Sequence, residues 1–383
     1  MKYFKHILII LFLLGSGTKI QAQYFIGFYT DKYDSDIQND GSERGSDSLT
    51  KKIHKEIQVS KDALIEIDNS YGDLNITSWD QDKVVIDVLI TVKGENSKKT
   101  QKELNNIDVS FLLSPEKVMA ETKIDMGWSF GWFYFGYGSF NTEKYRIDYN
   151  IKLPKTSSVN LTNDYGIIRL NSLEGKANIS CDYGQLIIGE LMADNNILDF
   201  DYSSNSSLEY IKGGTIKADY SDFIIEKAED IYLIADYTSS NIVEVTNLNY
   251  NCDYGNITID NVTNLEGEGD YITHRIGNVS GSLEIDADYG SIKIDRIKSS
   301  AKNVCIEADY TDIIIGYEND YSFNFNINLQ YGSFNADDEL TIRKTDVQNS
   351  SKKYLGFHGT ENSSNTVNIN ADYGEVKLIK YKK

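Results

Sequence analysis

The sequence predicts an all-β fold: a single-stranded parallel β-helix, or β-solenoid, of about 12 coils with a period of 17–21 residues, carrying a short N-terminal helix as an insertion or cap. Two observations carry that prediction. The triplet Asp-Tyr-Gly, or a near variant, recurs with its tyrosine at Tyr71, Tyr165, Tyr183, Tyr202, Tyr220, Tyr237, Tyr254, Tyr271, Tyr289, Tyr310, Tyr331 and Tyr373. From Tyr165 to Tyr331 the steps are 18, 19, 18, 17, 17, 17, 18, 21 and 21 residues, and the last step, 42, is two such units with an insertion. Around each tyrosine, apolar residues alternate with polar ones (Leu283, Ile285, Ala287, Tyr289), slip by one at Gly290, and resume at Ile292 and Ile294. Alternation is the period of a half-buried strand, and a single slip is a corner. One coil buries too few side chains to offset the entropy of ordering it, so the coils must stack. At about 4.8 Å per coil, twelve would make a rod roughly 58 Å long.

The elements follow in chain order. Residues 1–22 read as a secretory signal peptide: a basic start in MKYFKH, the apolar run ILIILFLLG, too short to span a membrane comfortably, and Ala22 before the expected cut. Ile20 departs from the usual small residue three positions before the cut. The mature chain is therefore expected to be exported, to the periplasm or the cell surface and medium, with no integral membrane segment once the signal is removed. Residues 23–54 read as a flexible lead-in, because 30–50 are acidic, polar and Gly/Ser-containing. Residues 55–160 read as an irregular N-terminal β part. Within it NSKKTQKELNNI, near 96–107, has an Asn or Ser start and enough good helix formers for a short helix. Residues 161–383 form the regular solenoid, interrupted near 342–366 by a Ser-, Asn- and Lys-rich stretch expected as an inserted loop.

The triplet's chemistry suits a corner. Glycine follows the tyrosine in seven of the twelve copies, which points to the positive φ of a type II turn, while Ser203, Ser221, Thr238 and Thr311 suit a type I variant. Aspartate precedes it in ten of the twelve, Ser70 and Gln330 being the exceptions. Its carboxylate is expected to accept the backbone N–H two residues on, as in an Asx-turn. Cys181 and Cys252 occupy the place just before Asp-Tyr-Gly where other copies carry alanine, so they read as inward-facing small residues. Four coils apart, about 19 Å, they lie beyond disulfide reach and are expected as free thiols.

Charge narrows the partners. The formal net charge is -20, and removing the signal deletes Lys2, Lys5 and Lys19 but no acid, giving -23. Such a chain repels nucleic acid and anionic membrane, so cations, cationic polymers or neutral glycans are easier partners, though more plainly the charge only keeps the chain soluble; the partner expected is a glycan or an envelope protein. If the stacked aspartates line one edge they repel one another, and calcium between them would relieve that; solvated turn carboxylates are the plainer reading. The other candidate is GWSFGWFYFGYGSFN, 127–141, where Trp128, Phe130, Trp132, Tyr134 and Tyr137 offer an aromatic binding platform or, more plainly, packing across one end of the rod. No metal, cofactor or catalytic set is expected. The mature histidines are only His54, His274 and His358, and no P-loop, HExxH or Gly-x-Ser-x-Gly occurs.

The run EIDNSYGDLNITSWDQDKVVIDVLITVKG, the polar helix, and YRIDYNIKLPKTSSVNLTNDYGIIRL with the Asp-Tyr-Gly copies after it resemble the candidate-adhesin family of bacterial β-strand-repeat proteins known as DUF4097. The resemblance covers roughly residues 55–383. It implies an exported β-solenoid with an adhesin-like role and brings no catalytic residues. The function expected is non-catalytic: a rigid face for cell-surface, glycan or protein binding. The alternatives are a carbohydrate-active parallel β-helix enzyme acting on a polysaccharide, or a structural envelope accessory with no ligand.

Overall fold

The computed structural model describes residues 37–39, 47–125 and 144–381, all within one compact unit, Ser35–Lys383. These residues form an open sheet of 28 strands and one α-helix. Each tyrosine marker separates two kinds of strand. The strand before it pairs in parallel with the strand before the next tyrosine, and the strand after it likewise, so the same register carries from unit to unit. Leu198 meets Ile216, then Leu233 and Tyr250; Leu208 meets Ile225, then Ile242 and Ile259. Through the middle of the molecule the two strands run together as single 12- to 14-residue strands, Ser206–Lys217, Asp222–Ile234, Ser239–Asn251 and Gly255–Glu268.

One apolar core runs the length of the unit. The alternating residues read from the sequence face it: Ile179, Cys181, Leu186, Ile188 and Leu191 are buried, as are Ile285, Ala287, Ile292 and Ile294. The three cysteines are free, with Cys181 and Cys252 in the core. The tyrosines do not continue this inward series. From Tyr165 to Tyr373 each is 44–58% exposed.

Antiparallel strands close both ends of the parallel run. At the N-terminal end Asp47–Gln58 pairs with Lys83–Gly94, which pairs with Tyr145–Pro154; this last strand lies parallel to Leu74–Trp79. Asp47–Gln58 begins inside the polar segment 23–54, because Leu49 and Ile53 alternate into the core. On the other flank Ile107–Leu113 covers Lys117–Ile124. The helix, Ser97–Asn105, is capped by Asn96, whose side chain accepts the Lys99 N–H, and it buries Thr100 and Leu104.

At the C-terminal end spatial order departs from chain order. The last unit, Thr366–Asp372 with Glu375–Lys380, inserts between Val304–Asp309 and Phe323–Gln330 on one side and between Asp312–Tyr317 and Ser333–Ala336 on the other. The unit that comes earlier in sequence is thus the outer one. It is then covered by a hairpin within the insert, Thr341–Gln348 and Ser351–His358, which pairs antiparallel to Phe323–Gln330.

Candidate functional site

The corner is built differently from the sequence expectation. All twelve marker tyrosines adopt left-handed φ of 51–66°, whereas none of the glycines that follow them does. Those glycines serve close approach instead: a Cβ on Gly166 would lie 1.8 Å from the Gly72 carbonyl oxygen, and one on Gly184 2.2 Å from that of Gly166. Where serine or threonine stands there, the hydroxyl enters the corner. Ser221 Oγ lies 2.9 Å from the Asp219 carbonyl oxygen and 3.2 Å from that of Phe200, and it accepts the Ser203 N–H at 3.0 Å.

The aspartates bond between units rather than closing an Asx-turn. The backbone N–H groups of Asp219, Asp236, Asp253 and Asp270 donate to Oδ1 of Asp201, Asp219, Asp236 and Asp253 at 2.8–3.1 Å. Burial, then the charges of Asp288 and Asp372, pushes the Asp309 carboxyl above its usual range; Asp164 rises for the same reasons, with Asp182 and Asp68 as the neighbouring charges. Among the described residues no group of three or more His, Cys, Asp or Glu side chains is arranged to hold a metal ion.

Fixed left-handed corners aim the tyrosine rings outward in one column. Its order is Tyr71, Tyr165 and onward to Tyr310, then Tyr373 and finally Tyr331, following space rather than sequence. Neighbouring ring centroids are 4.7–5.4 Å apart and their planes lie within 10° of parallel.

A second extended feature lies on the sheet formed by the strands preceding the tyrosines. It is a groove of about 1080 Å³. Its central row is the fifth residue before each tyrosine: Ile197, Thr215, Tyr232, Asn249, Glu266, Glu284, Cys305 and Asn368 stand side by side across eight units. At one residue per strand spacing this row is about 34 Å long. A flanking row is tied by amides: Asn247 Nδ2 donates to Asp230 Oδ1 at 2.5 Å, Asn264 Nδ2 donates to Asn247 Oδ1 at 2.8 Å, and the Ser282 N–H donates to Asn264 Oδ1 at 3.1 Å. A smaller depression of about 360 Å³ shares Glu266 and Glu284 and adds Glu268, Asp286 and Glu307. Burial and then Glu307 push the Asp286 carboxyl up. Cys305, on the groove floor, is held protonated by burial and by Glu284 and Glu307.

The aromatic candidates Trp128, Phe130, Trp132, Tyr134 and Tyr137 lie outside the described residues. The histidines fall on separate strands. His54 is exposed with Nδ1 2.6 Å from Asp87, His358 is buried with Nδ1 2.7 Å from the Tyr321 carbonyl oxygen, and His274 is wholly in the core. Sequence reading missed the groove, although a signal existed: the column five residues before each tyrosine is polar or amphipathic in seven of its eight groove members, Ile197 being the exception.

No protein family matches the chain, and no curated protein does. It is similar to solved structures of a candidate cell adhesion protein from Clostridium sporogenes (12% identity, covering 86% of this chain and 99% of that one, TM-score 0.18) and a candidate adhesin from Bacteroides fragilis (13%, 86% and 97%, TM-score 0.25). A candidate lipid-binding protein from Parabacteroides distasonis is similar at 10% identity (86% and 96% covered, TM-score 0.27). Superpositions this loose transfer neither a fold nor an activity.

Proposed function

We propose that the parallel units form a β-solenoid of about twelve coils belonging to the DUF4097-type adhesins, exported by its signal peptide, and that it binds an extended polymer without catalysis. The observation that carries this reading is the straight row of groove residues from Thr215 to Asn368, whose spacing is set by the backbone ladder rather than by loops. A linear glycan fits its chemistry. Amide and carboxylate groups of Asn249, Asn264, Glu266 and Glu284 offer donors and acceptors to sugar hydroxyls, and Tyr232, 42% exposed, offers a ring. The acids lining the groove favour neutral or amine-bearing chains over uronic or sulfated ones.

The test is affinity electrophoresis or calorimetry with linear neutral, amino and acidic polysaccharides. Tyr232→Ala and Asn249→Ala should each weaken binding of the neutral or amino chain by about tenfold, the equivalent of ~1.4 kcal/mol. Trp128→Ala with Trp132→Ala forms a separate arm for the aromatic stretch. Binding untouched by the groove variants and abolished by the tryptophan pair moves the site to 127–141. Polysaccharide cleavage would replace binding with the enzyme reading.

A further inference from the structure

The tyrosine column takes no part in the groove, and its geometry carries chemistry of its own. Each tyrosine is clamped at the main chain: Tyr220, Tyr254 and Tyr271 donate their backbone N–H to the carbonyl oxygens of Asp236, Asp270 and Asp288 in the next unit at 3.0, 3.0 and 2.8 Å. The rings beyond those anchors are about half exposed, and from Tyr165 to Tyr373 no ring hydroxyl is hydrogen-bonded to a protein group among the described residues. From Tyr165 to Tyr373 the rings therefore meet solvent-borne oxidants while each lies stacked and nearly parallel to its neighbour, at 4.8 Å between centroids for Tyr237, Tyr254 and Tyr271. A phenol that loses one electron and its proton becomes a phenoxyl radical with spin on the carbons ortho to oxygen, and two such radicals combine when held together.

We propose that the tyrosine column is an oxidative cross-linking site, at which hydrogen peroxide acting through a haem-peroxidase-type one-electron oxidant joins rings of adjacent units. In each coupling two tyrosines give up two electrons and two protons, which reduce one peroxide to two waters. One ortho C–H bond breaks on each ring and one carbon–carbon bond forms between them. Proximity selects the product, because a neighbouring ring is present at an effective concentration far above that of any ring on another molecule. From Tyr165 to Tyr310 each bond staples two successive units across a loop of 17–21 residues, in a chain whose three cysteines are free.

The experiment treats the full chain with hydrogen peroxide and a haem peroxidase, then reads dityrosine fluorescence, denaturing gels and cross-linked peptides by mass spectrometry. The expected product is a monomer lighter by two hydrogens per bond, with linked peptides pairing Tyr237 with Tyr254 and Tyr254 with Tyr271. Its yield should exceed that of the chain in denaturant by on the order of tenfold. Tyr254→Phe keeps a ring in the stack, confirmed by an unchanged circular dichroism spectrum, and should delete both of those links while leaving the Tyr220–Tyr237 link. Tyr381→Phe, outside the column, should change nothing. Links mainly between chains or between non-neighbouring tyrosines, or equal yields from folded and denatured chain, would overturn the proposal.

Discussion

At the scale of single residues, two side chains break the rules of their surroundings. A non-glycine residue in the left-handed region costs roughly 1–2 kcal/mol, yet tyrosine occupies it twelve times. Ring stacking worth ~0.5–1.5 kcal/mol per neighbouring pair offsets that cost, which is why an isolated Asp-Tyr-Gly would misrepresent the motif. The glycine that follows seven of the tyrosines drew the positive φ to itself in the sequence reading, since propensity alone cannot see the column. His274 is the second exception. In register it stands between Ile257 and Ile292, wholly buried, and neither ring nitrogen completes a hydrogen bond to protein. Burial pulls its pKa down to about 4, with the Ser291 main chain acting weakly the other way. The unfolded chain, at the ordinary 6.5, therefore binds the proton first, and stability falls as pH drops from 6.5 towards 4, by up to about 3 kcal/mol. His274→Ile should raise stability by about 1–3 kcal/mol at pH 7 and by more at pH 5. Urea unfolding at the two pH values measures both. An equal gain at each would mean that His274 is not the acid-sensitive group.

At the scale of elements, most strands were legible because the core admits only apolar residues at alternate positions, and the period repeats them. The polar helix was equally legible from its Asn or Ser start, which proves to be the Asn96 cap, and from its run of good helix formers. The order of the last three units was not. The signal for it lies in two substitutions: the outer unit carries Leu329 and Gln330 where the inserted one carries Ala371 and Asp372. Gln330 is freed from the aspartate ladder because an antiparallel strand, not another parallel unit, lies beyond it. The inserted order has a mechanical consequence. Ile369, wholly buried, pairs with Ile306 on one side and Ile327 on the other. Ile369→Ala should cost about 2–5 kcal/mol, and the loosening should reach both flanking strands. Hydrogen exchange should then quicken over 304–309 as well as 323–330, with 177–260 unchanged. Quickening confined to 323–330 would contradict the insertion, because in chain order only that unit touches the last.

At the scale of the whole molecule, stacking identical units places identical charges in rows, and the excess of acid stays close to the scaffold. Carboxyls raised by burial and by each other, among them Asp164, Asp201 and Asp309, are groups whose folded pKa exceeds the unfolded one. They therefore weaken the fold where ionised, and the penalty lifts as pH falls through their raised values. Repulsion of this kind is long-ranged only at low salt. The Debye length is about 30 Å at 0.01 M, several units, and about 8 Å at 0.15 M, fewer than two. Sodium chloride raised from 0.01 to 0.5 M at pH 7 should therefore raise the melting temperature by several degrees. For a domain of this size that corresponds to about 1–2 kcal/mol. If the carboxylates are solvated, calcium chloride at matched ionic strength should give the sodium chloride curve. A further saturable rise with calcium would instead show ions bridging the Asp182–Asp309 row. A flat response to both salts would mean that the rows are already neutralised, and the charge argument that favours neutral or amine-bearing ligands would fall with it.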